Sequence, residues 1–488
     1  MKKIIKLKNE FIKWNPSIYV KIILFIIPFF VFTLTKFKLD NDFWFLTNTG
    51  KYILNNGFIT VEPFTMHTGL SFIPQQWLTT IIFYLIYNNF GIIGMFIFEI
   101  IMNCLIIYLI FQILKLICKN EMVNIFTTVF VDICLIIFNV ITSRPQMFDI
   151  LIFLLLLYLL ENYIKKNQTK YLYFLPLISV LLINLHASMW TMFFVILIPY
   201  YFEYIFKKIQ KEESYRIKPM IIATIISLLS GLLNPYHINS ILYLFKSYGV
   251  KEINNIVGEM IPANISTSLS LYIIIFVLLL IIYKNKGNNI IRYVLLFLGT
   301  SYLSLSHYRG ILFLLLSSIL LIGNCFNDNI NYKKYNLMKY EKIIYICIII
   351  TVSLFTILNI EFDRSNKLDQ IVEYLDNNKK QGIVLYTEYD DGGYFEYRGY
   401  RTYIDPRAEV FLKSNNKKKD IMKEYYNLRA GKLSAKEFLN KYNFDYLIVF
   451  NDNYFLLNEL ERNNDYIKVN LKKKSNGYRI LYEKKTKD

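Results

Sequence analysis

The segment KLDNDFWFLTNTG, Lys38 to Gly50, follows the first long apolar run of the chain. It sets two carboxylates, Asp40 and Asp42, two residues apart beside Trp44. A carboxylate there can take a proton from an attacking hydroxyl. It can equally cap a helix, because Asp is a favoured N-cap and acids favour a first turn. The two roles can coexist, one acid capping and the other reacting. Further polar clusters recur at the ends of later apolar runs: SRPQ (Ser143 to Gln146), NLH (Asn184 to His186), NPYH (Asn234 to His237), GEMIP (Gly258 to Pro262) and HYRG (His307 to Gly310). Arg144 and Arg309 can hold a phosphate bidentately or reach toward lipid headgroups. His186 and His307 can join them on an anion or serve as structural hydrogen-bonding groups. Glu259 can hold an acceptor or stand as a solvated loop acid.

The elements that carry these residues follow from composition. The chain of 488 residues is 55% hydrophobic and 17% aromatic, with a mean hydropathy of +0.34. Soluble domains average roughly 45–50% apolar residues, so an integral membrane protein is expected. The net charge of +18 is therefore read by position, and no nucleic-acid partner is expected. The five cysteines form no CxxC or Cys/His cluster, which excludes the usual zinc and redox motifs. A basic arm precedes an apolar run, 19–37, too long for a signal peptide and without a small-residue cleavage site, so a retained helix is expected.

Scanning for runs of about 20 apolar residues predicts about eleven spans: 18–37, 91–115, 121–141, 147–164, 171–186, 189–206, 217–233, 267–283, 290–306, 310–326 and 342–360. Alternate loops are basic, among them Lys115 to Lys119, Lys207 to Lys218 and Lys284 to Arg292. Lysine and arginine mark the cytoplasmic side, so the N-terminus is predicted inside and the tail outside. The same topology places all four histidines and every polar cluster above on the outer face. The expected fold is a polytopic α-helical membrane protein, residues 1–360, with a long first outer loop, 38–90, followed by an extracytoplasmic α/β domain, residues 361–488.

Within the first outer loop, Asp42 to Leu54 has helical spacing and is expected to lie along the interface with Trp44 in the aromatic belt. Trp77 to Tyr87 is expected as a second juxtamembrane helix. Three acids fall inside spans: Glu99, Asp132 and Asp149. Glu99 and Asp132 come from adjacent spans and suggest either a polar contact or a proton relay. In the tail, strands are expected at Gly382 to Thr387, Tyr400 to Asp405, Asp445 to Phe450, 466–471 and 477–483. Helices are expected at Lys367 to Asn378, 416–429, 434–442 and 453–462. Glu388 to Gly393 reads as a turn rich in acid and glycine. Asp390, Asp391, Asp405 and Arg407 stand at strand ends, where turn chemistry and α/β ligand sites both occur.

Taken in order, DxDFW…TGxYI…PF…W, SRPQ, NLH, NP, an Arg-bearing outer loop and GGY…R…IDPRAE resemble the GT-C superfamily of membrane glycosyltransferases along nearly the whole chain. The resemblance implies a sugar donor carried on polyprenyl phosphate or diphosphate, a cell-envelope acceptor, and a lipid bilayer as the surrounding partner. It implies a catalytic base at Asp40 or Asp42 and donor-phosphate contacts from Arg144, Arg309, His186 and His307. Acceptor or sugar contacts fall to Trp44, Glu259, Asp391, Tyr394, Asp405 and Arg407. Asp391-Gly-Gly-Tyr394 loosely matches an acceptor-binding turn of oligosaccharyltransferase catalytic subunits. Thr387 to Asp390 stand where those carry paired tryptophans, which argues against sequon-type peptide recognition. A divalent metal is left open as a cofactor, with no ligand set assigned to it. Two other functions fit the same residues: a non-catalytic envelope-assembly or polymer-binding protein, and a proton-coupled transporter using Glu99 and Asp132.

Overall fold

The computed structural model describes residues 14–15, 18–34, 36–247, 260–285, 290–327, 333–334, 339–363, 366–378, 382–471 and 478–485. Among the described residues up to Leu358 the regular elements are helices, apart from a two-residue pairing of Trp14–Asn15 with Lys333–Lys334. Among the described residues, four helices are long and apolar enough to cross a membrane: Trp77–Ile117, Gln146–Lys166, Ala187–Ile209 and Tyr308–Cys325. Shorter apolar helices stand at the other expected stretches, among them Ile217–Ser230, Leu269–Lys284 and Ile291–Ser306. Many of their large side chains are exposed, such as Ile222, Phe276 and Leu358, which is the surface expected of a protein solvated by lipid.

The long helix Trp77–Ile117 joins two elements that the sequence suggests separately. It breaks at Gly91, with φ 61° and ψ −152°, a conformation cheap only for glycine. The part before the break packs on a helix of the first loop, Asn41–Asn56, called here the loop helix. Asp40 caps it: its side chain accepts from the Asp42 backbone N–H at 2.9 Å. Gly57, at φ 86°, ends it. An interfacial helix would bury one face. The loop helix instead buries every residue from Phe43 to Gly50, so the expected surface position is corrected. Trp44 lies inside an aromatic cluster rather than in an exposed belt.

Two close approaches explain that burial. A Cβ on Gly50 would stand 2.0 Å from the Thr80 carbonyl oxygen of the long helix. From the other side comes Gly392–Tyr397, a six-residue helix of the tail. A Cβ on its Gly393 would meet Phe45 at 3.2 Å, and one on Gly392 would stand 2.0 Å from the Ile404 carbonyl. Glycines are poor helix formers, which is why the sequence reads only a turn here. Packing imposes the helix.

The tail sheet has the order Arg401–Thr402, Val384–Tyr386, Tyr446–Phe450, Arg479–Lys484, Tyr466–Lys468. The first three strands are parallel and the last two pair antiparallel. Tyr446 to Val449, on the central strand, are buried, as suits a strand covered on both faces. Helices Asp369–Asn377, Ile421–Arg429, Ala435–Lys441 and Tyr454–Arg462 cover it. The expected strand 400–405 shrinks to two residues, because Asp405 and Arg407 turn inward. Ile53, Ile59, Leu70 and Phe72 of the first loop share one apolar core with the tail.

Gly50→Ala is expected to cost about 1–3 kcal/mol through overpacking, read as a lower melting temperature in detergent. Gly299→Ala, where nothing lies within 4 Å of the new methyl, is expected to leave stability unchanged or raise it by up to about 1 kcal/mol.

Candidate functional site

The first-loop acids and SRPQ meet. Arg144 Nη2 lies 2.9 Å from Asp40 Oδ1 and 3.3 Å from Asp42 Oδ2. Its neighbour Ser143 donates to Glu99 inside the helical bundle. All three charged side chains keep some exposure, 19% for Arg144 and Asp40 and 32% for Asp42. Asp40 therefore caps the loop helix and pairs with an arginine at once. Glu99 and Asp132, paired by expectation, hold separate partners: Asp132 accepts from Asn103 at 3.4 Å.

NLH and NPYH brace the helices. Asn184 accepts from Trp77 Nε1 at 2.9 Å and donates to the Leu233 carbonyl at 2.9 Å. His186 Nδ1 lies 2.6 Å from Asp149 Oδ2, both buried. His186 is thus taken up by a carboxylate, away from Arg144. His307 sits half-buried at the turn between Ile291–Ser306 and Ile311–Cys325. The charge of Arg309 acts on Glu409 of the tail. Glu259 lies outside the described residues.

Two expected ligand residues of the tail are instead core. Arg407 is buried and contacts Asp405 at 2.5 Å, Glu62 at 2.9 Å and Glu396 at 3.3 Å. Phe64 and Phe72 cover its guanidinium, with centroids at 5.0 and 4.9 Å. One cation faces three buried carboxylates. Burial, and then the Asp405 charge, push the Glu396 carboxyl well above its usual range, which favours its protonated form and so lowers the repulsion. Asp391 is likewise sequestered: Arg479 grips it bidentately at 2.7 and 2.8 Å. Tyr394 donates to Asp369 and sets its ring 4.8 Å from Trp44. Of the acid pair in that turn, Asp390 is the one left open to solvent. Crowding by the protein, and then the Asp391 charge, raise its carboxyl above the ordinary value; Asp40 contributes in the same direction.

A cleft of about 1250 Å³ opens between the loop helix, the Gly91 break and the tail. Lys38, Asp40 and Trp44 line its base, and Tyr87, Tyr394 and Tyr397 its side. A second cavity of about 130 Å³ lies toward the bundle, lined by Lys38, Asp40, Glu99 and Thr142. Asp40 and Lys38 border both. Phe90 and Ile93, on the lip at the break, are 71% and 45% exposed. Sequence reading misses this cleft, since its walls come from segments some 350 residues apart. It also misses a buried triad in the bundle, where Arg292 binds Glu161 and Glu203, each at 2.8 Å. The signal for that triad was an acid near the basic end of two long apolar helices.

Among the described residues, no group of three or more His, Cys, Asp or Glu side chains converges to hold a metal ion. Comparison with protein-family models gave no match, and comparison with curated proteins gave none either.

The Glu396 proton gives a pH test. As pH rises past about 4.5 the unfolded carboxyl ionises first while the folded one keeps its proton, so this group's contribution to stability falls as pH rises. Glu396→Gln is expected to gain stability over wild type by up to about 1.4 kcal/mol per pH unit across that interval, and to match it near pH 4. Unfolding midpoints of both proteins across pH 4–8 decide it. Arg407→Met, leaving the carboxylates unpaired, is expected to cost about 3–5 kcal/mol in the same assay.

Proposed function

We propose that the chain is a GT-C-type membrane glycosyltransferase that moves a sugar from a polyprenyl-phosphate or diphosphate donor to a cell-envelope acceptor. In this reading about eleven helices span the plasma membrane, the N-terminus lies inside and the tail outside. The observation that carries it is the position of Asp40. This carboxylate borders a large outer cleft and a smaller inner cavity, with Arg144 and Lys38 beside it. A lipid-linked sugar needs an apolar approach, cations for its phosphate and a carboxylate near its anomeric carbon. Phe90 and Ile93 offer the first, Lys38 and Arg144 the second, Asp40 or Asp42 the third.

The step balances without a cofactor. An acceptor hydroxyl attacks the anomeric carbon, its proton passes to Asp40 or Asp42, and the bond between that carbon and the phosphate oxygen breaks. The polyprenyl phosphate leaves with the bonding electrons, and cations stabilise the charge that develops. Arg309, which faces Glu409, takes no part in this version. Binding without transfer is the second reading, favoured by one observation: Asp40 is already engaged as a helix cap and ion pair.

The test is transfer of radiolabelled sugar from a panel of polyprenyl-phosphate and diphosphate donors by purified protein in nanodiscs. Asp40→Asn or Asp42→Asn is expected to lower the rate by about 10²–10⁴-fold with the melting temperature retained, the larger loss identifying the base. No transfer from any donor, with both variants still complementing a deletion strain, would remove the transferase reading.

A further inference from the structure

We propose that the 1250 Å³ cleft is a glycan-chain site, seating several units of an uncharged or amino-bearing oligosaccharide. Calling this chain the acceptor rests on the transferase reading; the binding itself does not. Ordinary ligand pockets measure about 300–1,000 Å³, so the cleft exceeds what a single sugar or a compact small molecule requires.

Its two walls differ in kind. One is aromatic. Trp44 packs among Tyr394, Tyr397 and Tyr87, with centroids at 4.8, 5.1 and 5.7 Å. Trp44 and Tyr394 are buried and back this wall, while Tyr87 and Tyr397 stay partly exposed and offer an apolar ring face with a polar edge, which suits the C–H face of a sugar ring. The other wall is polar and planar. On the helix Asp369–Asn377, Asp369, Glu373 and Asp376 share one face by their spacing, and Asn366 and Asn377 flank them in the lining. Asp369 accepts from Tyr394 and from the Asn366 backbone N–H, and Asp376 from Arg398 and Tyr400. A carboxylate offers about four acceptor positions, so capacity remains for vicinal hydroxyls or an amino group. Glu373 is exposed on the same face.

Charge and backbone narrow the class. Five carboxylates line the cleft: Asp40, Asp363, Asp369, Glu373 and Asp376. The cations are three, Lys38, Lys367 and Arg398, and Arg398 already pairs with Asp376 at 3.0 Å. A polyanion is disfavoured against that wall. Strand addition, one way to hold an extended peptide, is not offered by the edge strand Arg401–Thr402, which already accepts the Met66 backbone N–H at 2.9 Å. A sugar chain asks for rings on one side and planar hydrogen-bonding groups on the other, and the cleft supplies both, ending at Asp40.

The experiment is calorimetric titration of the full-length protein in nanodiscs with hexasaccharides of β-1,4-linked glucosamine, N-acetylglucosamine and glucose. The monosaccharides and hexapeptides of lysine and of glutamate serve as comparisons. At least one hexasaccharide is expected to bind ten-fold or more tightly than its monosaccharide and than either peptide. Glu373→Lys, at an exposed position, is expected to weaken it ten-fold or more with unchanged melting temperature, and Tyr397→Ala, whose ring packs on Trp44, to weaken it as much with a lower melting temperature. No hexasaccharide binding, equal or tighter peptide binding, or indifference to both variants overturns the proposal. Variant-sensitive glycan binding without sugar transfer from any donor supports this site and counts against the transferase. Transfer with an acceptor KM unmoved by either variant does the reverse.

Discussion

The loop helix is gripped from two sides at backbone distance, and the rest of the arrangement depends on that grip. Gly50 lets it settle against the long helix, and Gly393 lets the short tail helix settle against Phe45. With side chains at those positions the helices would stand farther apart, as ordinary packing at 8–10 Å between axes requires. The approach buries Phe43 to Gly50 without a break, so the helix has little freedom to tilt or slide. Asp40 and Asp42 sit at its first turn and inherit that rigidity. Helical bundle and tail become one body here, and the cleft is the gap that their junction leaves on one side. Carboxylates held this firmly are pre-organised, which matters for any chemistry that depends on placing a reacting atom to within an ångström.

Among the described residues, arginine meets more than one carboxylate at four places, Arg144, Arg292, Arg407 and Arg429, and burial separates their roles. Arg292 and Arg407 are nearly sealed from solvent. Taking such charges out of water costs several kcal/mol per ion, and close geometry only offsets that cost. Such clusters hold helices or loops in register, and exchanging a partner inside them is prohibitive. Arg407 draws Glu62 of the first loop to Asp405 and Glu396 of the tail, so it locks the same junction that the glycines bring together. Arg144 differs. It is partly open, as are both of its acids, so water or a ligand can replace either contact at modest cost.

Much of this was legible in sequence where local rules decide. Asp40 as a cap, the helix after it and most tail strands follow from capping preference and periodicity. What stayed hidden is tertiary. Nothing local shows that Gly392 and Gly393 form a helix, since glycine disfavours it and only contact with Phe45 and Ile404 imposes it. Asp405 and Arg407 read as a strand-end site because acid and base at such an edge usually face solvent; their partner Glu62 lies in the first loop, far away in sequence, and Glu396 on a helix the sequence does not announce. Asn184 and His186 read as outer-face chemistry, yet Trp77 and Asp149, one helix away, consume their hydrogen bonds. Trp44 looked like a membrane anchor for want of any sign that Tyr394 and Tyr397 would cover it.

The shared arginine bears on how a proton acceptor could be kept and then released. Asp40 accepts one hydrogen bond from Arg144 and one from the Asp42 backbone N–H. In a transferase, a donor phosphate arriving beside Asp40 would compete for the same guanidinium, which binds phosphate as readily as carboxylate. As Arg144 turns toward the phosphate, Asp40 and Asp42 lose their cation and gain an anion nearby. The helix cap keeps Asp40 in place throughout, because the backbone N–H of Asp42 does not move with the arginine. Structural and chemical roles of that one carboxylate are then parts of a single device.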